Sequence, residues 1–538
     1  MSVTHKFSVV LILILRLTQI VSAQDFSGEI VEFSIPKTIY FGGERVWIAS
    51  QSMQDDSPVE SKVIYAELVN RYNESVAIAK MPLEEGKSFN FLQLPTDIPS
   101  DNYLLRVFTR VSPYQNLERG LVQQFITVFN KTVPPTVVAQ RKIIAKVEDS
   151  KEVTLSKEEN APGSELTIEL PRGIEISEVS ISAENPFLAG VDKISSSTAY
   201  ESLEKHPMVP ELFGHVIEAK VDSYPVDTTQ LYYVSLHGEK SALFTDRPDE
   251  NGSMYFDAGG MKNWKYLIAQ ANGNESLLDF GIISPGPITH FKSSFIIPEL
   301  EISPSDEAYL KELLRGGQVE GYFLNEFDAS LFPVVTGLME DRTYLLDDYT
   351  RFETVETVIK EYIQEISVKT IKKKKEFRAL NDVYDSGFDS NPLMLIDALP
   401  VFDSDLLASF DPKGFKKLDV LTRTFYLNEE RFPGVMSFSS YKNDFGGFPI
   451  PSNGIYLDYE GIQPKVVSAE SLFEAPSEDK NIMDWRTILY WSAIPESASL
   501  SDAITITVPD LKGKFQITIK GKSGQGESKD FLRTFEVK

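Results

Sequence analysis

Residues 36–50 read PKTIYFGGERVWIAS, and residues 81–109 read MPLEEGKSFNFLQLPTDIPSDNYLLRVFT. The first stretch sets Tyr40, a Gly42–Gly43 turn and a strand carrying Trp47 close to the start of the chain. KVIYAELVN, FNFLQL and NYLLRVFTRV continue the pattern as short β-rich runs, and the breaks between runs fall at DDSP, NRYNE, LEEGK and PTDIPSDN. Short strands with regular turn signals over about 100 residues predict an antiparallel sandwich, here residues 24–133. The double proline of NKTVPPT (130–136) cannot lie inside a sheet and reads as a linker.

Beyond it, ELTIELPRGIEISEVSISAEN alternates Leu166, Ile168 and Leu170, then Val179 and Ile181, with polar neighbours, which predicts two half-buried strands in a diverged sandwich over 137–213. A third β unit is expected over 214–298, with Asn251–Gly252 as a hairpin signal. At about 300 the pattern changes. SPSDEAYLKELLRGG has a Ser/Asp start and a glycine stop and predicts a helix in a connector over 299–345. In TVETVIKEYIQEI, Val355, Val358, Ile359, Tyr362, Ile363 and Ile366 make one apolar helical face. PLMLIDALPVF reads as a short apolar strand in an α+β unit over 346–464. A final β domain over 465–538 carries AITITV and KFQITIK.

The first 23 residues have the form of an export signal: Lys6, the apolar run Val9–Leu15, and Val21–Ser22–Ala23 before Gln24. No later run approaches the roughly 20 apolar residues of a membrane-spanning helix, so an exported chain, at the periplasm or cell surface, is expected. Removing Lys6 and Arg16 takes the net charge from −26 to −28. So acidic a surface argues against nucleic acid and against anionic membranes as partners. The absence of cysteine from an exported chain of 538 residues fits a bacterial envelope.

Signals for chemistry are sparse. His206, His215, His237 and His290 show no pair at ligand spacing; His215 and His237 lie in strand-like stretches, where a hydrogen-bonded structural role is expected. GKSGQG misses the nucleophile elbow because Gln525 takes the place of the last glycine, and DRPDENGS does not keep calcium-loop spacing. The expectation is no catalytic activity, no metal and no cofactor. Lys372, Lys373, Lys374 and Lys375 form a local basic run that suits a solvated edge or an acidic partner.

Lys37, Tyr40, Gly43, Glu44, Val46, Trp47, Pro99, Tyr103 and Arg106 together resemble the macroglobulin-like β-sandwich, with Asp101 where glycine is usual. Pro392, Leu393, Ile396, Asp397, Pro400, Asp411, Pro412, Leu418, Val420, Tyr426, Gly434 and Val435 resemble the plug domain of TonB-dependent outer-membrane receptors, with Ala398 in place of glycine. Chains joining macroglobulin-like and carboxypeptidase-regulatory-like β-domains to a plug-like domain are exported proteins of Bacteroidota. The resemblance implies a mainly β, multidomain chain of Ig-like or macroglobulin-like sandwiches with one α+β plug-like domain. A thioester macroglobulin needs a reactive cysteine, which this chain lacks, and the residues after 464 are too few for a large barrel.

The expected function is therefore a non-catalytic envelope scaffold that docks on an outer-membrane β-barrel partner. A surface glycan- or peptide-binding module is the alternative, and a diverged protease inhibitor a more distant one. Tyr40, Trp47, the four lysines, Asp397, Pro400, Tyr426 and Gly434 are the candidate interaction or structural residues.

Overall fold

A computed structural model describes residues 28–141, 148–188, 193–271, 279–319, 338–466, 483–493 and 502–538. The export-signal reading falls outside them. The chain is mainly β. In the N-terminal unit, the sheet built on Arg45–Gln54, flanked by Ile30–Ser34 and Lys87–Gln93, faces a five-stranded sheet in the order 39–41, 122–129, 101–108, 63–69, 75–82. The inward residues of both sheets, among them Val46, Ile48, Ile64, Leu105 and Ile126, are fully buried and make one core. Alternation along each strand sends every second side chain inward, and apolar residues at those positions exclude water from between the sheets.

The next unit departs from the expected boundaries. Glu165–Glu169 pairs with Ala503–Thr507, while Ile174–Ala183 pairs with both Gly513–Ser523 and Ile488–Ser492. Segments 137–213 and 465–538 are thus two parts of one sandwich rather than two domains. The physical reason lies in their strands: Leu166 and Ile168 on one sheet and Val179 and Ile181 on the other need partners, and Ile504, Ile506, Phe515, Ile517 and Ile519 close the core around them. AITITV and KFQITIK consequently sit in opposing sheets.

Everything between is inserted into this split sandwich, and the insertion is itself nested. The third sandwich sets the order 253–257, 216–221, 280–283 against 241–246, 232–238, 264–271, 455–458. Its last strand, Ile455–Asp458, arrives only after the α+β unit and pairs with Trp264–Ala271. Asn251–Gly252 is a turn, but not the turn of a hairpin. Ser241–Asp246 pairs with Tyr232–Gly238, and Ser253–Asp257 with Val216–Val221, so the chain crosses from one sheet to the other there.

The α+β unit has a five-stranded sheet in the order 342–345, 415–421, 435–440, 393–396, 399–400, with Leu393–Ile396 parallel to Val435–Ser440. Helices Val355–Tyr362 and Ser404–Ser409 and the hairpin 366–381 cover one face of it through Val358, Ile359, Leu407, Phe377, Met394 and Phe438. The first helix is capped by Thr354, whose Oγ1 accepts from the Thr357 N–H. It stops at Tyr362, and Ile366, expected on the same helical face, opens a strand instead. Arg342–Leu345, expected in the connector, is the edge strand of this sheet.

The connector helix Glu307–Val319 follows a capping box of Ser303 and Asp306, as its sequence predicts, but runs through Gly316–Gly317 instead of stopping there. A Cβ at Gly316 would lie 2.6 Å from the Thr487 methyl, and one at Gly317 1.7 Å from Glu44 Oε1. These glycines allow the helix to approach the N-terminal and split sandwiches at once.

Candidate functional site

The helices leave the other face of the α+β sheet uncovered, and that face forms one wall of a cleft of about 770 Å³. The strand register orders its residues in rows. Leu393, Val435 and Leu421 lie abreast and are buried; next come Leu395, Ser437 and Asp419; then Ser439 beside Lys417. Edge strand Ser241–Asp246 and the Gly238–Lys240 turn form the second wall, and the hairpin Phe425–Leu427/Glu430–Phe432 roofs the apolar end. Leu231, Tyr233, Leu243 and Phe425 pack on the apolar row, while Lys240, Lys416, Lys417 and Lys442 gather at the polar end.

The Asp397–Ala398 turn closes that end. Both residues are left-handed, with φ of 48° and 66°, the conformation of the two-residue turn that joins Leu393–Ile396 to Leu399–Pro400. Ala398 therefore makes the turn that glycine would make, under strain. The Asp397 carboxylate accepts from the Ser440 N–H at 2.8 Å, the Ser440 hydroxyl at 2.6 Å and the Phe445 N–H at 2.9 Å. It is a brace for the 440–445 loop. Asn443 donates to the Gly238 carbonyl at 2.8 Å and ties that loop to the opposite wall.

Of the other residues singled out in the sequence, Pro400 is buried in its short strand, and its carbonyl accepts from Gln270 Nε2. Gly434 has φ of 83° and sits where a Cβ would meet the Leu421 carbonyl at 2.6 Å, so its role is backbone geometry. Tyr426 is exposed on the hairpin. Lys372 and Lys373 are the left-handed turn of the 366–381 hairpin. Lys375 is held by Glu356 at 2.7 Å, and none of the four lysines lines the cleft. Tyr40 and Trp47 are fully buried. Tyr40 donates to the Lys37 carbonyl, and Lys37 pairs with Glu44 at 2.7 Å and reaches Thr487. Trp47 stacks on Phe89, which meets Trp491 of the split sandwich. The macroglobulin-like motif residues are thus core and joint residues.

Sequence reading missed a second polar assembly, at the joint between the N-terminal and third sandwiches. Tyr65 donates to Glu211 at 2.7 Å; His215 Nδ1 lies 2.8 Å from Glu211 Oε1, and its Nε2 lies 2.6 Å from the Tyr459 hydroxyl. Arg110 pairs with Glu218 at 2.5 Å, and His206 binds the same carboxylate. Burial pushes His215 down to about 4 against the opposing pull of Glu211. A neutral imidazole with Nδ1–H donating to Glu211 and Nε2 accepting from Tyr459 satisfies all three groups. Lys80, buried beside the Tyr459 ring, is pushed down to about 8 by desolvation. Its members lie as much as 394 positions apart, so no local pattern announces it. His237, as its strand position predicts, is a buried hydrogen-bonded histidine between Ser235 and Ser241.

Among the described residues no group of three or more His, Asp or Glu is placed to hold a metal, and no helix is long and apolar enough to cross a membrane.

No protein-family model matches the chain, and no curated protein matches it. Solved structures similar to it include native Escherichia coli alpha-2-macroglobulin (8% identity over 96% of this chain and 40% of that one, TM-score 0.22). Salmonella alpha-2-macroglobulin reacted with methylamine is 9% identical over 96% of this chain and 24% of that one, with a TM-score of 0.16. Dimeric latent PorU from Porphyromonas gingivalis is 10% identical over 49% of this chain and 34% of that one, with a TM-score of 0.17. The chain spans about two fifths of the length of the first of these.

Proposed function

We propose that the chain is a non-catalytic scaffold of the bacterial envelope whose α+β unit docks on an outer-membrane β-barrel partner. The observation that carries this reading is an exposed apolar and aromatic group on two adjoining loops of that unit. Val383 (67% exposed), Tyr384 (77%) and Tyr426 (64%) stand out from the surface, and the Asp382 N–H to Thr422 carbonyl bond at 3.0 Å ties their loops together. Tyrosines of this kind anchor protein interfaces, because a ring buries a large area at a small cost in side-chain freedom. The nested insertion supports the same reading: buried joints at Lys37–Glu44–Thr487, Phe89–Trp491 and Tyr65–Glu211–His215 couple the sandwiches to one another, and Gln270–Pro400 and Asn443–Gly238 tie the α+β unit to the third. The resemblance of the motif residues to a receptor plug supports an outer-membrane barrel as the partner's class.

The test is a mild-detergent pull-down of the tagged chain followed by mass spectrometry, with a Tyr384→Ser/Tyr426→Ser variant alongside. A β-barrel protein enriched with the native chain and lost with the variant is expected. Recovery of the chain alone from both would sink the proposal.

A further inference from the structure

The cleft has a polarity that the docking loops do not share and that docking does not use. Its wall is graded along the strands: a row with only apolar side chains at Leu393, Val435 and Leu421, then a mixed row of Leu395, Ser437 and Asp419, then Ser439 beside Lys417. Val435 and Ser439 are four residues apart on one strand, which at about 3.3 Å per residue places the two ends about 13 Å apart. The apolar end is closed by Leu243 and Phe425, and the lysines stand at the other end.

The charges at that end are only partly balanced by the cleft itself, whose lining sets Glu239 and Asp397 against Lys240, Lys416, Lys417 and Lys442. Lys417 is held by Asp419 at 2.6 Å, but Lys240, Lys416 and Lys442 have no ion pair with any described residue. Asp397 already accepts three hydrogen bonds from its own loop. The Ser437 and Ser439 hydroxyls face the cleft and have no hydrogen-bond partner among the described residues. In a chain of net charge −26, a cluster of four lysines around one opening is a local reversal of sign, and such reversals concentrate anions. The cleft volume of about 770 Å³ falls within the roughly 300–1,000 Å³ range of small-molecule pockets, whose walls are mostly apolar with a few convergent polar groups.

We propose that this cleft binds a single-tailed anionic amphiphile, an acyl chain ending in a carboxylate or a phosphate. The tail lies against the apolar side chains that line the cleft, Leu243, Leu393, Leu395, Phe425 and Leu427, where its burial supplies most of the binding free energy. The head meets Ser439 and Lys417, with Lys240, Lys416 and Lys442 around it; a sugar would leave the apolar row without a partner, and a cationic head would face the lysines. The head-group residues of the site are separate from the Tyr384–Tyr426 surface, while Phe425 and Leu427 of its roof flank Tyr426 on one strand.

The full chain is titrated calorimetrically, below micelle-forming concentrations, with dodecanoate, dodecyl phosphate, dodecyl maltoside, dodecyltrimethylammonium and an acetylated peptide of alternating leucine and glutamate. Saturable one-to-one binding of dodecanoate or dodecyl phosphate is expected, at least about tenfold tighter than of the neutral and cationic amphiphiles. The stronger of the two anions identifies the head as carboxylate or phosphate. Lys416→Glu/Lys442→Glu, both at exposed positions, should remove that preference without unfolding the chain. Leu427→Glu, on the half-buried hairpin, should abolish binding of every amphiphile. Equal affinity for anionic and cationic tails, an anion preference unchanged by the lysine reversal, or saturable binding of the peptide alone would overturn the proposal.

Discussion

Acidification should loosen the joint between the N-terminal and third sandwiches, and His215 is the group through which this happens. Its ring is fully buried between Glu211 and Tyr459, and burial lowers it from the ordinary 6.5 to about 4. Between those two values the unfolded chain binds a proton that the folded chain refuses. Stability from this residue is therefore fully present above about pH 6.5 and falls as the pH drops toward 4. A shift of that size corresponds to about 3 kcal/mol. The perturbation that isolates it is His215→Gln, which keeps a hydrogen-bonding side chain but cannot titrate. Guanidinium unfolding of both proteins at about pH 7 and about pH 4 gives the comparison. The variant starts lower, by about 1–3 kcal/mol for imperfectly replaced hydrogen bonds. It should then lose about 3 kcal/mol less than the native chain on acidification, which narrows or reverses the gap. His237, pushed down to about 3 by its burial, titrates equally in both and cancels. Equal losses in the two proteins would refute the assignment of a buried neutral imidazole to this joint.

Three further outcomes follow from the packing. Trp491→Ala removes the ring that packs on Phe89 and donates to Ser34 at 3.0 Å, and should cost about 3–5 kcal/mol in chemical denaturation. Ala398→Gly relieves a left-handed alanine and should stabilise the chain by about 1 kcal/mol, read as a higher denaturant midpoint. Asp397→Ala leaves the buried Ser440 and Phe445 N–H groups without their acceptor and should cost about 2–4 kcal/mol, with Asp397→Asn intermediate.

The sequence made some features plain because they depend on neighbours in the chain. The alternation of Leu166, Ile168, Val179 and Ile181 announced strands, and Val355, Val358 and Ile359 announced a helix face, since each element must bury one side. Which strands would meet was not legible in the same way. Ile504 and Phe515 have the same pattern whether they pair with each other or close a sandwich begun more than 300 residues earlier. The glycines of the connector helix misled for a similar reason: Gly316 and Gly317 look like a stop locally, and only the nearness of Thr487 and Glu44 shows that they are spacers. At the cleft, Asp397 and Gly434 were visible as motif residues, though not as the left-handed turn residues they are. The lysine end was not, because Lys240 and Lys442 come from different units and converge only in the fold. The Lys372–Lys375 run, conspicuous in the sequence, is a hairpin turn away from the cleft lining.

The central claim, that the α+β unit is the docking face, is tested most directly by site-specific photo-crosslinking in cells. A photoreactive residue is placed at Tyr426, and a second chain carries it at Tyr72, on the N-terminal sandwich and more exposed still at 76%. An adduct with a single outer-membrane β-barrel protein from position 426 and none from position 72 is the predicted result. No adduct at 426, or the same adducts from both positions, would contradict it.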